Sequence, residues 1–444
     1  MATIAFISLG CPKNQVDADR MCHALLAAGH VTTADPAGAD LIIVNTCGFI
    51  ESAKQEAIDT ILEAVELKKG GRPPKVVVTG CLAERYREEI QKEIPEVDAT
   101  VGIGCNGDIT ALVGRVLAGE KLEAYGPKTA LPLEGKRVVS TPRHYAYLKI
   151  AEGCNNRCSY CAIPLIRGPL RSRSLDSVVE EARWLASEGV RELIVVAQDI
   201  TAYGDDLGQN LAAPLLDALQ QVEGIRWIRL LYAYPERVTD AFIAAMARNS
   251  KVLPYLDLPI QHINSDILRS MNRRGDRETV LSAIRRLRAG VPGLTLRTTL
   301  IAGYPGETEE QFDELCAFVK EAKFDRLGCF AYSEEEGTPA ARMEQLPLDL
   351  REARAERIME IQSNVMAEKQ AARHGALLEV ICDGLDDETG LYVCRSRGDA
   401  PEIDAVVYVD SPSVPLEEGG FYSVRVDDSD VFDLYAHLEE RGSR

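Results

Sequence analysis

The sequence predicts an α/β protein in three parts: an N-terminal parallel-sheet domain, a central (β/α)6 partial TIM barrel, and a small C-terminal antiparallel β-barrel. Three observations predict it. Ile- and Val-rich runs alternate with helix-period segments over the first hundred residues; the alternation resumes for six rounds after a Pro-rich stretch; the last 70 residues switch to short strands and turns. A length of 444 residues suits two or three domains of about 150 residues. At 46 % apolar and 27 % charged, the composition is that of a globular chain.

In the first domain, residues 1–125, the runs "TIAFISLG", "LIIVNT" and "KVVVTG" read as parallel strands buried on both faces. Each is followed at once by a cysteine, Cys11, Cys47 or Cys81, at intervals of 36 and 34 residues that suit one βα unit and its return. The carboxyl ends of parallel strands share one sheet edge, where ligands bind, so three cysteines distant in sequence meet there. Residues 126–142, with three prolines and no sustained period, read as a linker. The central domain, residues 143–374, carries the runs "YAYLKI", "ELIVVAQ", "WIRLLYA", "YLDLPI", "LTLRTTLIAG" and "RLGCFAYS". A long polar helix then stops at Gly375. In residues 375–444, "LLEVICDG", "LYVCRS", "AVVYVD" and "FYSVRVDD" alternate with turn residues, as in a small antiparallel barrel.

The start has no basic leader or small-residue cleavage site, and no apolar run approaches the ~20 residues that span a bilayer. The expectation is a soluble cytoplasmic protein with no membrane partner. Twelve cysteines in a reducing compartment point to metal or redox chemistry, not disulfides. The formal charge is −19, and residues 376–444 hold 17 acidic and 5 basic residues, a net of −12. Nucleic acid is not favoured by that balance, since phosphate contacts need Lys and Arg; an acidic surface complements a basic partner.

"GCNNRCSYC", residues 153–161, directly follows the first central strand and places Cys154, Cys158 and Cys161 on one turn of backbone. Thiolates are the usual ligands of iron-sulfur clusters. Three ligands leave one iron open to a small molecule, whereas a closed zinc site wants a fourth Cys or His, which the following residues do not supply. The C-x3-C-x-aromatic-C pattern, with Tyr160 as its aromatic, resembles the radical S-adenosylmethionine (SAM) enzymes. That resemblance implies a 4Fe-4S cluster whose open iron binds SAM and whose electron cleaves it to methionine and a 5′-deoxyadenosyl radical. "TTLIAGYPGET" resembles the cofactor-lining segment of these enzymes, with Gly303 and Gly306 allowing backbone approach, or else a turn and a Thr308 helix cap. Gln198 and Asp199, and Gln261 and His262, sit just past strand ends, either for barrel chemistry or as caps. Arg167, Arg171 and Arg173 are candidates to meet a carboxylate, with a solvated basic loop as the alternative.

"LGCPKN", "NTCGF" and "TGCLAE", with the radical motif and a terminal TRAM-like barrel, resemble the methylthiotransferases along nearly the whole chain. The resemblance implies a second 4Fe-4S cluster on Cys11, Cys47 and Cys81 that carries the sulfur to be inserted, SAM as methyl donor and radical source, and a reductant such as flavodoxin or ferredoxin. "SLGCPKNQVDADR" looks like the branch that modifies an aspartate β-carbon of a basic small-subunit ribosomal protein. The alternatives are a transfer-RNA adenosine methylthiotransferase and, from another class, a non-catalytic iron-sulfur electron-transfer protein. Cys105 has no counterpart in the family pattern and reads as a loop or core thiol, and Cys22, Cys316, Cys329, Cys382 and Cys394 as packing residues.

Overall fold

The computed structural model describes residues 1–71, 73–411 and 414–439. Strands β1 (Thr3–Ser8), β2 (Val31–Thr33), β3 (Leu41–Thr46), β4 (Lys75–Gly80), β5 (Ala99–Val101) and β6 (Leu122–Ala124) form a parallel sheet in the order β2-β1-β3-β4-β5-β6. Its runs are continuously apolar because both faces are covered. Ile42, Val44, Val76 and Val78 pack in one core with Ala57 and Ile61 of the helix Glu51–Glu66. Ile4, Leu41, Ile43 and Val77 pack in the other with Met21 and Leu25 of the helix Pro12–Ala27.

The central domain contains β7 (Tyr145–Lys149), β8 (Ala151–Glu152), β9 (Arg171–Ser172), β10 (Glu192–Val196), β11 (Trp227–Leu230), β12 (Val252–Asp257), β13 (Thr295–Ala302) and β14 (Arg326–Ala331). The six longer strands lie side by side in chain order and all parallel, an open (β/α)6 arc. β8 and β9 pair antiparallel and bracket the loop that holds the three clustered cysteines. The helix Leu348–Ala371 lays Ile358 and Ile361 on the arc and ends four residues before Gly375, which turns the chain with a φ of 74°.

The last domain is a closed barrel of β15 (Leu377–Leu385), β16 (Tyr392–Ser396), β17 (Val407–Asp410), β18 (Phe421–Ser429) and β19 (Leu434–Leu438), in the order β15-β16-β17-β19-β18. The expected antiparallel pattern holds except at β17 and β19, which pair parallel to close it. Its segment 396–404 enters the amino end of the central arc. Glu402 accepts hydrogen bonds from the Tyr145 and Tyr147 hydroxyls at 2.9 and 3.1 Å, Asp404 accepts from Tyr255 at 2.6 Å, and Asp399 pairs with Arg326. Ile381 and Ala400 pack in the same core as Trp227 and Tyr255. Three of the domain's carboxylates, Asp399, Glu402 and Asp404, therefore point inward, toward a cation and tyrosines of the neighbouring domain.

The stretch 126–142 is strapped down. Its Arg137 is buried and joins Asp19 at 2.9 Å in the first domain to Glu181 at 2.8 Å in the second. Among the described residues no helix is long and apolar enough to cross a membrane.

Candidate active site

Each of the three N-terminal cysteines has a glycine beside it, and each glycine is a point of close approach between strand ends. A Cβ on Gly10, whose φ is 89°, would lie 2.7 Å from the Cys47 Cβ. One on Gly48 would lie 2.8 Å from Leu82 and 3.0 Å from the Cys81 carbonyl carbon, and one on Gly80 2.5 Å from the Thr46 carbonyl oxygen. No side chain other than hydrogen fits those gaps, so Cys11, Cys47 and Cys81 draw together at the carboxyl edge of β1, β3 and β4. Burial pushes the Cys47 thiol up, and Cys11 beside it pushes the same way; burial takes Cys81 to about 12 despite the adjacent Arg167.

The second group sits where the sequence places it, after β7 and β8. Gly153 has a φ of 77°, and a Cβ there would meet the Pro169 carbonyl oxygen at 2.1 Å, so the loop folds back on its own exit strand. Arg157 adopts a φ of 52°, and its carbonyl accepts a hydrogen bond from Asn272, itself at 55°, over 2.8 Å. Asn156 donates to Asp199 at 2.9 Å, and its backbone N–H points at the Cys154 sulfur at 3.4 Å. Burial takes the Cys154 thiol to about 11 and pushes Cys161 up as well, and the neighbouring Cys158 pushes both in the same direction. The Tyr234 hydroxyl lies 3.8 Å from the Cys158 sulfur, and the Arg273 guanidinium lies over the Tyr234 ring at 4.2 Å. A cleft of about 170 Å³ opens beside the loop, lined by Cys154, Asn156, Asp199, Asp205, Arg237 and Arg274.

Among the described residues no three His, Cys, Asp or Glu side chains converge on a point that one metal ion would fill. A cubane spreads its irons over separate corners, so its thiolates stand apart. The donor set fits such clusters: two sets of three neighbouring thiols, all softer than any zinc-type His ligand, held on glycine-bearing turns.

The two sets adjoin. Cys81 packs on Ala162 and Ile166, in the turn that begins at Cys161. Between them lies a buried network across the domain junction. Arg167 reaches Asp17 at 2.5 Å, Glu152 at 3.2 Å, Asn14 at 3.0 Å and the Cys81 sulfur at 3.2 Å, and Lys149 pairs with Asp17 and Glu152. Burial alone would raise Glu152; Lys149 and Arg167 more than reverse this and hold it at about 2. On the other side of the junction, Arg85 and Lys54 of the first domain meet buried Glu335 at 2.5 and 3.5 Å.

The remaining expected residues divide. Gln198 donates to Glu152 at 2.7 Å while its buried side-chain oxygen has no partner in the protein. Tyr160 lies against Cys158 and among Tyr304, Tyr332 and Met271. Gly303 is backed by protein: a Cβ there would meet Arg351 at 2.5 Å, and its N–H already donates to Glu307 at 3.1 Å. Gly306 is exposed in open space, and Thr308 caps the next helix with a reciprocal Gln311 bond. The basic loop is not solvated: Arg173 is paired with Glu181 and Arg171 with main-chain carbonyls. Asp199 caps a turn at Thr201, and His262 faces Glu307 at 3.4 Å. Gln261, at a φ of 69°, continues the pairing of β12 along β13 by a parallel bridge to Leu300. Cys105 packs beside Gly126, Cys382 and Cys394 face each other across β15 and β16, Cys316 and Cys329 pack on the central core, and Cys22 is half-buried on its helix. The sequence reading did not single out Lys13, Tyr232, Tyr234 or Arg273, although "CPKN" contains the first of them.

The chain matches the family described as "Uncharacterized protein family UPF0004" over residues 3–102, the Radical SAM superfamily over 148–319, and the TRAM domain over 375–438. The ribosomal protein uS12 methylthiotransferase RimO of Anaeromyxobacter sp. is 48 % identical over 438 residues, 98 % of this chain and 92 % of the relative. The protein of that name from Pelotomaculum thermopropionicum is 46 % identical, covering 97 % and 98 %. Among solved structures, the radical SAM methyltransferase TsrM from Kitasatospora setae shares the fold, with a TM-score of 0.56 at 15 % identity over 89 % of this chain and 85 % of that one. With relatives this similar along nearly its whole length, the chain belongs to the family of the ribosomal protein uS12 methylthiotransferases, the RimO enzymes.

Proposed function

We propose that the protein inserts sulfur and a methyl group at the β-carbon of an aspartate of ribosomal protein uS12, converting C–H to C–S–CH3. The observation that carries this reading is the pair of adjoining three-cysteine sets on a chain alike from end to end to enzymes of that name. Membership of the radical SAM superfamily brings a 4Fe-4S cluster and SAM. We assign that cluster to Cys154, Cys158 and Cys161, and a second to Cys11, Cys47 and Cys81. When bound, the first supplies the electron that cleaves SAM and the second carries the sulfur.

The chain's own residues do the positioning. Gln198, through its free side-chain oxygen, and Tyr160 line the place of SAM, with Gly303 and Gly306 shaping the segment behind it. Arg167 clamps the two cysteine sets together, and the buried turns at Gly48 and Gly80 shield one side of the sulfur-bearing group while Gly10 faces solvent. We take the domain limits as 1–125, 126–142, 143–374 and 375–444. The last domain meets the substrate with the acidic residues left outside its docking face, Asp427, Asp428 and Asp430 among them. The reaction takes place in the cytoplasm, with a flavodoxin or ferredoxin as reductant.

The test is mass spectrometry of uS12 and of bulk transfer RNA after anaerobic incubation with reconstituted, reduced enzyme and SAM. A methylthio group on an aspartate of uS12 is expected. A product on transfer RNA alone would overturn the substrate, and SAM cleavage with no product on either would overturn the reaction.

A further inference from the structure

A buried charge is costly unless it is paired. Every other lysine or arginine buried in the described part of the chain obeys that rule, lying within 4.0 Å of a carboxylate: Arg20, Lys54, Arg137, Lys149, Arg167, Arg173, Arg229, Arg273, Arg326, Arg354 and Arg395. Lys13 does not. It is 7 % exposed and makes no ion pair among the described residues. Its ammonium lies 3.4 Å from the centre of the Tyr232 ring. A desolvated cation–π contact offsets only part of the cost of burying an ammonium.

The position of Lys13 is specific. It is the second residue of the helix Pro12–Ala27, two residues after Cys11, where that helix crosses the carboxyl end of the central arc. Tyr232 lies just past β11, held at a φ of 68°, a conformation costly for an aromatic residue. The nearby carboxylate Glu152 is already engaged by Lys149, Arg167 and Gln198. The chain thus brings an ammonium to the junction of the two cysteine sets, faces it with the Tyr232 ring and hydroxyl and with Cys11, and pairs no carboxylate with it among the described residues.

We infer that the Lys13 ammonium receives the carboxylate of the substrate aspartate and is the residue that selects an anionic side chain at this site. The inference rests on the reaction proposed above. A carboxylate held there leaves the β-carbon one bond away, beside Cys11 on one side and the Cys154 loop on the other. An asparagine in its place would leave the ammonium without a counter-charge.

The experiment measures binding of uS12, and of uS12 carrying Asn at the modified aspartate, to the full-length enzyme with SAM present, by fluorescence anisotropy. Wild-type enzyme is expected to prefer aspartate by about a hundredfold, the effect of removing one partner of a buried charge pair. Lys13→Met should bind both forms alike, and Lys13→Arg should recover part of the preference, which also shows that the site still folds. A Lys13→Met protein that keeps the preference overturns the inference. So does one whose affinity for SAM falls in step, since Lys13 would then hold the methionyl carboxylate. Product analysis on wild type separates the two claims: an enzyme that leaves uS12 unmodified refutes the reaction and this assignment together. One that modifies the aspartate without preferring it to asparagine refutes only the assignment.

Discussion

Arg167 touches two carboxylates, an amide and a cysteine sulfur, all of them buried. Replacing it with Met leaves Lys149 as the cation shared by Asp17 and Glu152, with Arg20 4.0 Å from Asp17. The expected loss is about 3 kcal/mol of stability, the usual result of breaking a buried pair from one side, measurable by urea unfolding. Gly303→Ala is expected to cost about 2 kcal/mol, since the new Cβ meets Arg351 at a left-handed φ of 71°. Gly10→Ala acts elsewhere, displacing Cys47; iron and sulfide analysis of the reconstituted protein should show the uptake of one cluster lost and the other retained. At this scale the sequence was legible where chemistry is local. Cys154, Cys158 and Cys161 announce themselves within eight residues, whereas Lys13 acquires its meaning only when Tyr232, more than two hundred residues away, folds over it. Arg167 was a candidate to meet a carboxylate, but nothing in its neighbourhood names Asp17 as the partner.

The strands that were read most accurately are those buried on both faces. "LIIVNT" and "KVVVTG" are β3 and β4 to the residue, because an unbroken Ile/Val run has no other comfortable state. β2, β5 and β6 are three residues each, and β19, "LYAHL", alternates Tyr435 and His437 outward with little apolar signal. That omission explains why the barrel was expected to be antiparallel throughout, since β19 makes its parallel closure. The Thr308 cap was legible from "GETEEQ", and it forms a full capping box on the helix Glu309–Ala322. Thr308→Ala should destabilise that helix by about 1 kcal/mol, seen as faster amide exchange in its first turn.

Three domains are held together by charges that need their protons removed. In the barrel's docking face, burial would raise Glu192, but Arg395 and Arg229 reverse that and hold it below its ordinary 4.5; against the same burial Asp383 is lowered by His144 and then Arg395, and Asp399 by Arg326. Folded values below unfolded ones mean that the stabilisation is complete above about pH 4.5 and drains away as the pH falls through the depressed values. The barrel should come off its seat in acid before the central core melts. Trp227, buried there edge-on to Phe421 at 5.0 Å, would report it by a change in fluorescence at a higher pH than the loss of helix. The charge count of the last domain was legible in the sequence, but its direction was not: a net of −12 says nothing about which carboxylates face the neighbouring arginines.

The same docking stoppers the floor of the arc. Glu402 and Asp404 sit among the tyrosines at the amino ends of the strands, and the helix Pro12–Ala27 lies across the opposite rim. A vessel closed at the bottom has one mouth, so arriving and departing molecules use the same passage. Nothing spent can be pushed out from behind, and turnover becomes a queue in which each visitor must leave before the next is admitted.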